Sequence, residues 1–138
     1  MNVRALAIVC VVPLVAAAVA SAQNPPGTET TVRDGVYGAE QAKRGRTTYD
    51  IKCASCHDGG TMGPELWGDP FLSQWDGKTV GAFFSRIQTT MPEDAPRTLG
   101  ETDVLDVVAY VLQTNGFAAG DKAIPGASAL AAMKFVRK

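Results

Sequence analysis

The stretch Cys53-Ala54-Ser55-Cys56-His57 decides how the rest of the chain is interpreted. Two thiols three positions apart on one tight turn can reach the two vinyl groups of a single porphyrin. The next residue, His57, then presents a ring nitrogen to the iron. Cys-x-x-Cys-His is the attachment signature of a c-type haem. The stretch therefore predicts one covalent haem c, bound through Cys53 and Cys56, with His57 as an axial ligand of the iron.

Each alternative function of two cysteines and a histidine requires residues or a structural context that this sequence lacks. A structural zinc site needs four Cys or His ligands, but the chain has one histidine, and its third cysteine, Cys10, lies in an N-terminal apolar stretch. A thioredoxin-like redox pair needs alternating β and α segments around it, and the sequence near Cys53 has none. A simple disulfide between Cys53 and Cys56 would leave His57 without a role.

The N-terminus has the pattern of a secretory leader. Arg4 precedes an apolar stretch over residues 5–20, and small residues stand at the two key positions of a cleavage site at 20–22, so residues 1–22 are predicted to be a signal peptide. A retained membrane anchor is the alternative. It is disfavoured because a spanning helix needs roughly 20 apolar residues and Pro13 interrupts this stretch. We therefore expect a bacterial periplasmic protein with no stable membrane insertion after cleavage.

Length and charge limit the number of domains and the kinds of partner expected for the chain without its leader. Removal of the leader from 138 residues leaves 116, which suffices for one small domain and not for two independent cores. The formal net charge is −1 for the whole chain and −2 without Arg4. This near-neutral balance argues against nucleic acid or an anionic membrane surface as a partner.

Composition divides the mature chain into three parts. Residues 23–35 are rich in Pro, Gly and Thr and are predicted to be a flexible N-terminal segment. Residues 36–117 carry the helical patterns and form the predicted domain. Residues 118–138 are a C-terminal extension that either packs on the domain or trails from it.

Helical patterns within the domain predict an all-α fold. A favourable composition predicts a helix from Ala39 to about Ile51, and Gly45 inside it indicates a close crossing with another helix. The crossing partner is the apolar stripe from Glu101 to Asn115, for which a buried strand is the alternative. Further predicted elements are a short segment at 71–75, a helix at about 79–89 and a short helix near 127–133.

These features together resemble the monohaem class I c-type cytochromes over about 36–117. The residues that carry the resemblance are Gly45, Tyr49, the motif at 53–57, Gly63-Pro64-Glu65-Leu66, Met91-Pro92, Val107 and Tyr110. The resemblance implies three to five helices wrapped around one covalent haem. A looser similarity, over Phe71 to Phe117, is to small bacterial cytochromes c associated with quinoprotein (PQQ-dependent) dehydrogenases.

The second axial ligand is predicted to be Met91. It lies 34 residues after His57, far enough for the chain to pass round the porphyrin edge, and the resemblance puts the ligand at this Met-Pro pair. Met62 is too close to His57 in sequence, and Met133 lies beyond the matched region. A gap-filling core methionine remains the alternative for Met91.

The resemblance also implies neighbours for the haem. The carbonyl of Pro64 is expected to accept a hydrogen bond from His57, although a loop stiffener would explain Pro64 equally well, and Leu66 is expected to pack on the porphyrin. Weaker candidates for contacts with the haem propionates are Trp67, Trp75, Arg86 and Arg97.

The expected function is electron transfer without catalysis. No paired acid and base accompanies the motif, and no second histidine is available to activate a nucleophile. The donor is expected to be a periplasmic dehydrogenase, PQQ-dependent by the resemblance, and the acceptor an oxidase or another cytochrome. The alternatives are a tethered cytochrome subunit of a redox complex and, less favoured, a haem enzyme or gas sensor.

Overall fold

The computed structural model describes residues 29–137, and within them every regular element is a helix. The predicted signal peptide at 1–22 lies outside the described residues. The predicted all-α class is confirmed. The helices are α1 (Ala39–Lys52), α2 (Ala54–His57), α3 (Gly68–Trp75), α4 (Val80–Thr90) and α5 (Glu101–Thr114), followed by a 3-10 helix at Ala127–Leu130.

Helices α1 and α5 cross in backbone contact at Gly45. A Cβ atom built on Gly45 would lie 1.8 Å from the carbonyl oxygen of Asp106 and 2.9 Å from the backbone nitrogen of Val107. No side chain fits such a gap, so the predicted crossing is confirmed. Beside it, the guanidinium of Arg44 donates two hydrogen bonds to the buried carboxylate of Asp106, at 2.8 and 2.9 Å.

The core is built from the apolar faces of α4 and α5 and from an aromatic cluster. Helix α4 buries Val80, Phe83, Phe84 and Ile87, and α5 buries a continuous stripe along its length. The aromatic cluster joins α3, α4 and the C-terminal extension through ring contacts of 4.9–6.3 Å among Phe71, Trp75, Phe83 and Phe135. Trp75 is therefore a core residue and not a propionate contact.

The C-terminal extension packs on the domain. Met133 and Phe135 are buried, and backbone hydrogen bonds run from Val80 to the carbonyl of Met133 and from Phe135 to the carbonyl of Lys78. On its other side, Val32 donates to the carbonyl of Lys134 at 2.9 Å.

Residues 29–35, the described part of the segment 23–35 for which flexibility is predicted, have contacts with the domain. Val32 is fully buried, and the backbone of Gly35 touches that of Gly120. The low apolar content of the segment concealed this, because its contacts are one buried valine, backbone pairing and polar contacts such as that of Arg33 with the carbonyl of Arg137. The ordered body thus begins before the predicted boundary at residue 36.

Candidate functional site

The predicted site residues line one cavity of about 730 Å³. This is within the size range of small-molecule and cofactor sites. Its walls come from the end of α1, from α2, from the loop before α3 and from the end of α4 with the loop that follows. All six predicted site residues take part: Cys53, Cys56, His57, Pro64, Leu66 and Met91.

Cys53 lies at the junction of α1 and α2. Its N–H continues α1 by donating to the carbonyl of Tyr49 at 2.8 Å, while its own carbonyl accepts hydrogen bonds from Cys56 and His57 at 3.1 and 3.0 Å. These bonds make the tight turn that the motif requires. Both thiols are free, Cys56 exposed and Cys53 half-buried. Burial raises the pKa of the Cys53 thiol to about 11, so this thiol is protonated at neutral pH.

His57 is held by the backbone of the following loop. Its Nδ1 atom lies 2.6 Å from the carbonyl oxygen of Pro64. Because a carbonyl only accepts, Nδ1 carries the proton and Nε2 is left with a free lone pair. The contact between His57 and Pro64 that the family resemblance implies is therefore present.

Gly63 makes room for this arrangement. A Cβ atom at Gly63 would lie 2.9 Å from Cε1 and 3.0 Å from Nδ1 of His57. The N–H of Gly63 also donates to the carbonyl of Cys56 at 3.0 Å. Gly63 therefore joins the loop to the motif while leaving the imidazole its place.

The three methionines among the described residues have different surroundings. Met91 ends α4, where its N–H donates to the carbonyl of Ile87 at 2.9 Å, and its half-buried side chain lines the cavity. Met62 also lines the cavity but is 69% exposed. Met133 is buried in the core and outside the cavity wall. Met91 and Met62 therefore lie at the site, whereas Met133 lies away from it.

A hydrogen bond between Tyr49 and Asp58 supports the motif from the α1 side. The buried Tyr49 hydroxyl donates to the Asp58 carboxylate at 2.9 Å. Burial, and then this hydrogen bond, raises the pKa of Tyr49 above its ordinary value. The sequence analysis assigned no role to Asp58 and missed the bond. The one available signal was a tyrosine with a polar tip on the buried face of α1.

Of the remaining residues considered as haem neighbours, some line the cavity and others lie elsewhere in the molecule. Arg86 lines the cavity, whereas Arg97 and Trp67 are outside its wall. Val107 reaches the cavity from α5, and Ile87 reaches it from α4. These two residues give the wall apolar surface opposite the polar motif.

The donor atoms fit haem c better than a structural metal ion. Two thiols, one imidazole with a free Nε2 and one thioether face a cavity of cofactor size. Within residues 29–137, no cluster of three or more His, Cys, Asp or Glu side chains could hold a metal ion. The zinc interpretation therefore has no support in the described part of the chain.

Comparison with known families assigns the class. The model of a family described as "Cytochrome C oxidase, cbb3-type, subunit III" matches residues 40–111, more than half of the chain. This match, from α1 into α5, identifies a c-type cytochrome and implies covalent haem c, for which Cys53 and Cys56 have the required spacing. The chain belongs to the cbb3-type cytochrome c oxidase subunit III family. Comparisons with curated proteins and with solved structures give no match.

A cytochrome c domain suggests electron transfer and fits a carrier better than an enzyme. Cytochrome c domains of this family are typically extracytoplasmic. Over the part of the chain that the structure describes, no helix combines the length and the apolarity needed to cross a bilayer.

Proposed function

We propose that this protein is a periplasmic electron carrier with one haem c, attached through Cys53 and Cys56 and ligated by His57 and Met91. One observation carries the proposal. A single cavity gathers both thiols, an imidazole whose Nδ1 is bonded to a carbonyl, and a half-buried methionine. This donor set suits His/Met ligation.

The residues of the chain fix the ligands before and after electron transfer. When bound, the haem supplies a one-electron iron couple. Pro64 holds the His57 ring by its carbonyl, so Nε2 keeps one orientation. Helix α4 holds the backbone of Met91 through Ile87. Ligands fixed in this way need little rearrangement on reduction, which favours fast exchange.

Carrier function is preferred to catalysis because the residues that line the cavity include no histidine other than His57 that could act as a base or activate a nucleophile. His57 is the chain's one histidine, and it is used. The carboxylates that line the cavity, Glu93 and Asp94, lie on the exposed loop after Met91. With both axial positions filled by side chains, no site is left for positioning a substrate.

The proposed donor is a periplasmic dehydrogenase, PQQ-dependent by the family resemblance, and the proposed acceptor is an oxidase or another cytochrome. The proposed docking surface is the rim of the cavity, where Ile51 and Met62 are among the lining residues. Two large apolar side chains at the rim suit a transient contact between proteins. The small net charge predicts a modest salt dependence of the association rate.

The test is rapid mixing of the oxidised holoprotein with a reduced PQQ-dependent dehydrogenase. We expect reduction of the haem on the millisecond-to-second scale, while peroxide turnover and carbon monoxide binding to the ferrous protein stay negligible. Met91→Ala provides the matched control, because removal of the thioether opens the iron to carbon monoxide. Ready carbon monoxide binding with substantial peroxide turnover in the wild type would contradict the carrier function.

A cytochrome subunit of a larger redox complex is the second candidate. The name of the family to which the chain belongs, that of an oxidase subunit, favours it. Native electrophoresis of a detergent extract with haem staining separates the two candidates. A carrier migrates as a small free protein, whereas a subunit co-migrates with a complex at constant stoichiometry.

A further inference from the structure

The loop that carries Pro64 has no helix or strand of its own. Residues 61–67 run between α2 and α3 as bends and irregular backbone. The Pro64 carbonyl nevertheless lies 2.6 Å from His57 Nδ1. A contact of that length needs a carbonyl with a fixed position. The Gly63–Cys56 hydrogen bond holds the loop on the N-terminal side of Pro64, so a second connection is needed on the C-terminal side.

Asn115, at the end of α5, makes the required connection. Its Nδ2 donates to the carbonyl of Leu66 at 2.9 Å, and its Oδ1 accepts from the N–H of Gly68 at 3.0 Å. These bonds join positions 49 and 47 residues apart in sequence. They bracket the end of the loop, two residues beyond Pro64.

The Asn115 amide is itself immobile. Its second Nδ2 donor reaches the carbonyl of Val111 at 2.8 Å, so both donors and the acceptor are used. The residue is 8% exposed. Gly116 follows at φ +74°, and Phe117 donates to the carbonyl of Leu112 at 3.1 Å, which closes the end of α5. The bracket is thus anchored at the end of α5, which is buried along its length.

We propose that Asn115 is a positioning residue for His57. By holding Leu66 and Gly68, its amide fixes the loop so that the Pro64 carbonyl stays on His57 Nδ1. This inference rests on the proposed function in so far as His57 is the iron ligand. It assigns to α5 control over the orientation of the imidazole, although no residue of α5 contacts the ring through a hydrogen bond.

The chemistry requires an amide and not merely a side chain of this size. Asn115→Asp keeps the shape and the acceptor for Gly68, but it removes both donors and sets a carboxylate against two carbonyl oxygens. Asn115→Ala removes all three bonds. Thr114→Val is the matched control, because it deletes one side-chain hydrogen bond, to the carbonyl of Tyr110 at 3.0 Å, at the same helix end and without contact to the loop.

The experiment measures hydrogen exchange of the His57 Nδ1 proton by NMR in the reduced holoprotein, against the amide protons of α1 and α5. In Asn115→Asp and Asn115→Ala we expect exchange of the His57 proton to become about tenfold faster, while the α1 and α5 amides change much less. Thr114→Val should leave the His57 proton as in the wild type. Equal acceleration of all protons, or none at His57, would overturn the proposal.

A measurement on the wild type covers the case in which both variants fail to fold. The His57 Nδ1 proton and the Asn115 Nδ2 protons should exchange through one common local opening as denaturant is raised. Openings of different free energy would refute the coupling. Haem that is released from the unfolded wild type would instead contradict the proposed function, so the two failures are distinct.

Discussion

Gly63 has the tightest steric requirement among the residues that surround His57. In the sequence, Gly63 simply precedes Pro64. The structure shows that the imidazole occupies the space that a side chain at Gly63 would need. A Cβ atom there would press on Cε1 and Nδ1 of His57 at 2.9 and 3.0 Å.

Gly63→Ala should therefore displace the His57 ring from the Pro64 carbonyl. Loss of this hydrogen bond predicts a decrease of about 1–2 kcal/mol in the free energy of unfolding of the holoprotein. Guanidinium titration measures it. Gly126→Ala is the control, because the nearest atom to its Cβ is Oε1 of Glu101 at 3.6 Å, an ordinary contact. Equal stability of the two variants would show that the ring tolerates the methyl group.

Tyr49 and Tyr110 allow a matched test of the hydroxyl that supports the motif. Their rings lie 5.1 Å apart, but only the Tyr49 hydroxyl bonds to Asp58. Tyr49→Phe should lower the free energy of unfolding by about 1 kcal/mol, because it removes the buried donor of a partly buried hydrogen bond. Tyr110→Phe should have a smaller effect. The prediction fails if the two changes are equal in thermal or chemical denaturation.

At the scale of elements, the crossing of α1 and α5 organises the fold. The helical composition and periodicity predicted the two helices. The glycine inside α1 predicted their contact, because two helix backbones approach closely only where a side chain is missing. The ion pair of Arg44 with Asp106 could not be predicted, because in sequence either residue could equally be a charge exposed to solvent.

Gly45→Ala should be severely destabilising. Its Cβ would meet the Asp106 carbonyl at 1.8 Å, and neither helix backbone can yield locally, so the helices must separate. We expect a loss of about 3 kcal/mol in the free energy of unfolding. Thr47→Ala, on the exposed face of the same helix, controls for helix propensity and should change little. A Gly45→Ala protein with the wild-type unfolding midpoint would contradict the crossing.

At the scale of the whole molecule, residues near both ends of the described range 29–137 pack on the helices, as the burial of Val32 and Phe135 shows. Tyr37 is buried, and its hydroxyl donates to the carbonyl of Phe117 at 2.6 Å. Burial raises the pKa of Tyr37 above its ordinary value. Ionisation of Tyr37 at alkaline pH should therefore weaken the contact between this N-terminal residue and the rest of the domain.

Stability should accordingly fall at high pH. Below pH about 10, Tyr37 is protonated in both states and its contribution is fully present. As the pH rises further, the unfolded chain releases this proton first, so the free energy of unfolding decreases until the raised folded pKa is passed. Tyr37→Phe should reduce this alkaline slope. An unchanged slope, measured by denaturant titration at a series of pH values, would assign the effect to other groups.

The sequence indicated residues that line one cavity, but not the contacts that support them. All six predicted site residues line one cavity, because covalent attachment and ligation impose fixed residue types at fixed spacings. The roles of Asn115 and Asp58 were missed, since a capping asparagine and a turn aspartate look the same in sequence whether or not a distant partner is present. The packing of residues 29–35 was missed for a related reason: it depends on one buried valine and on polar contacts, such as that of Arg33 with the carbonyl of Arg137, whose partners are distant in sequence.

The central claim, a carrier ligated by His57 and Met91, is tested most directly by spectroscopy of the methionine ligand. The observables are the weak far-red band of the ferric protein and the upfield-shifted methionine methyl signal of the reduced protein. We predict both in the wild type and in Met62→Ala, and neither in Met91→Ala. Persistence of both signals in Met91→Ala, or their loss in Met62→Ala, would contradict the account.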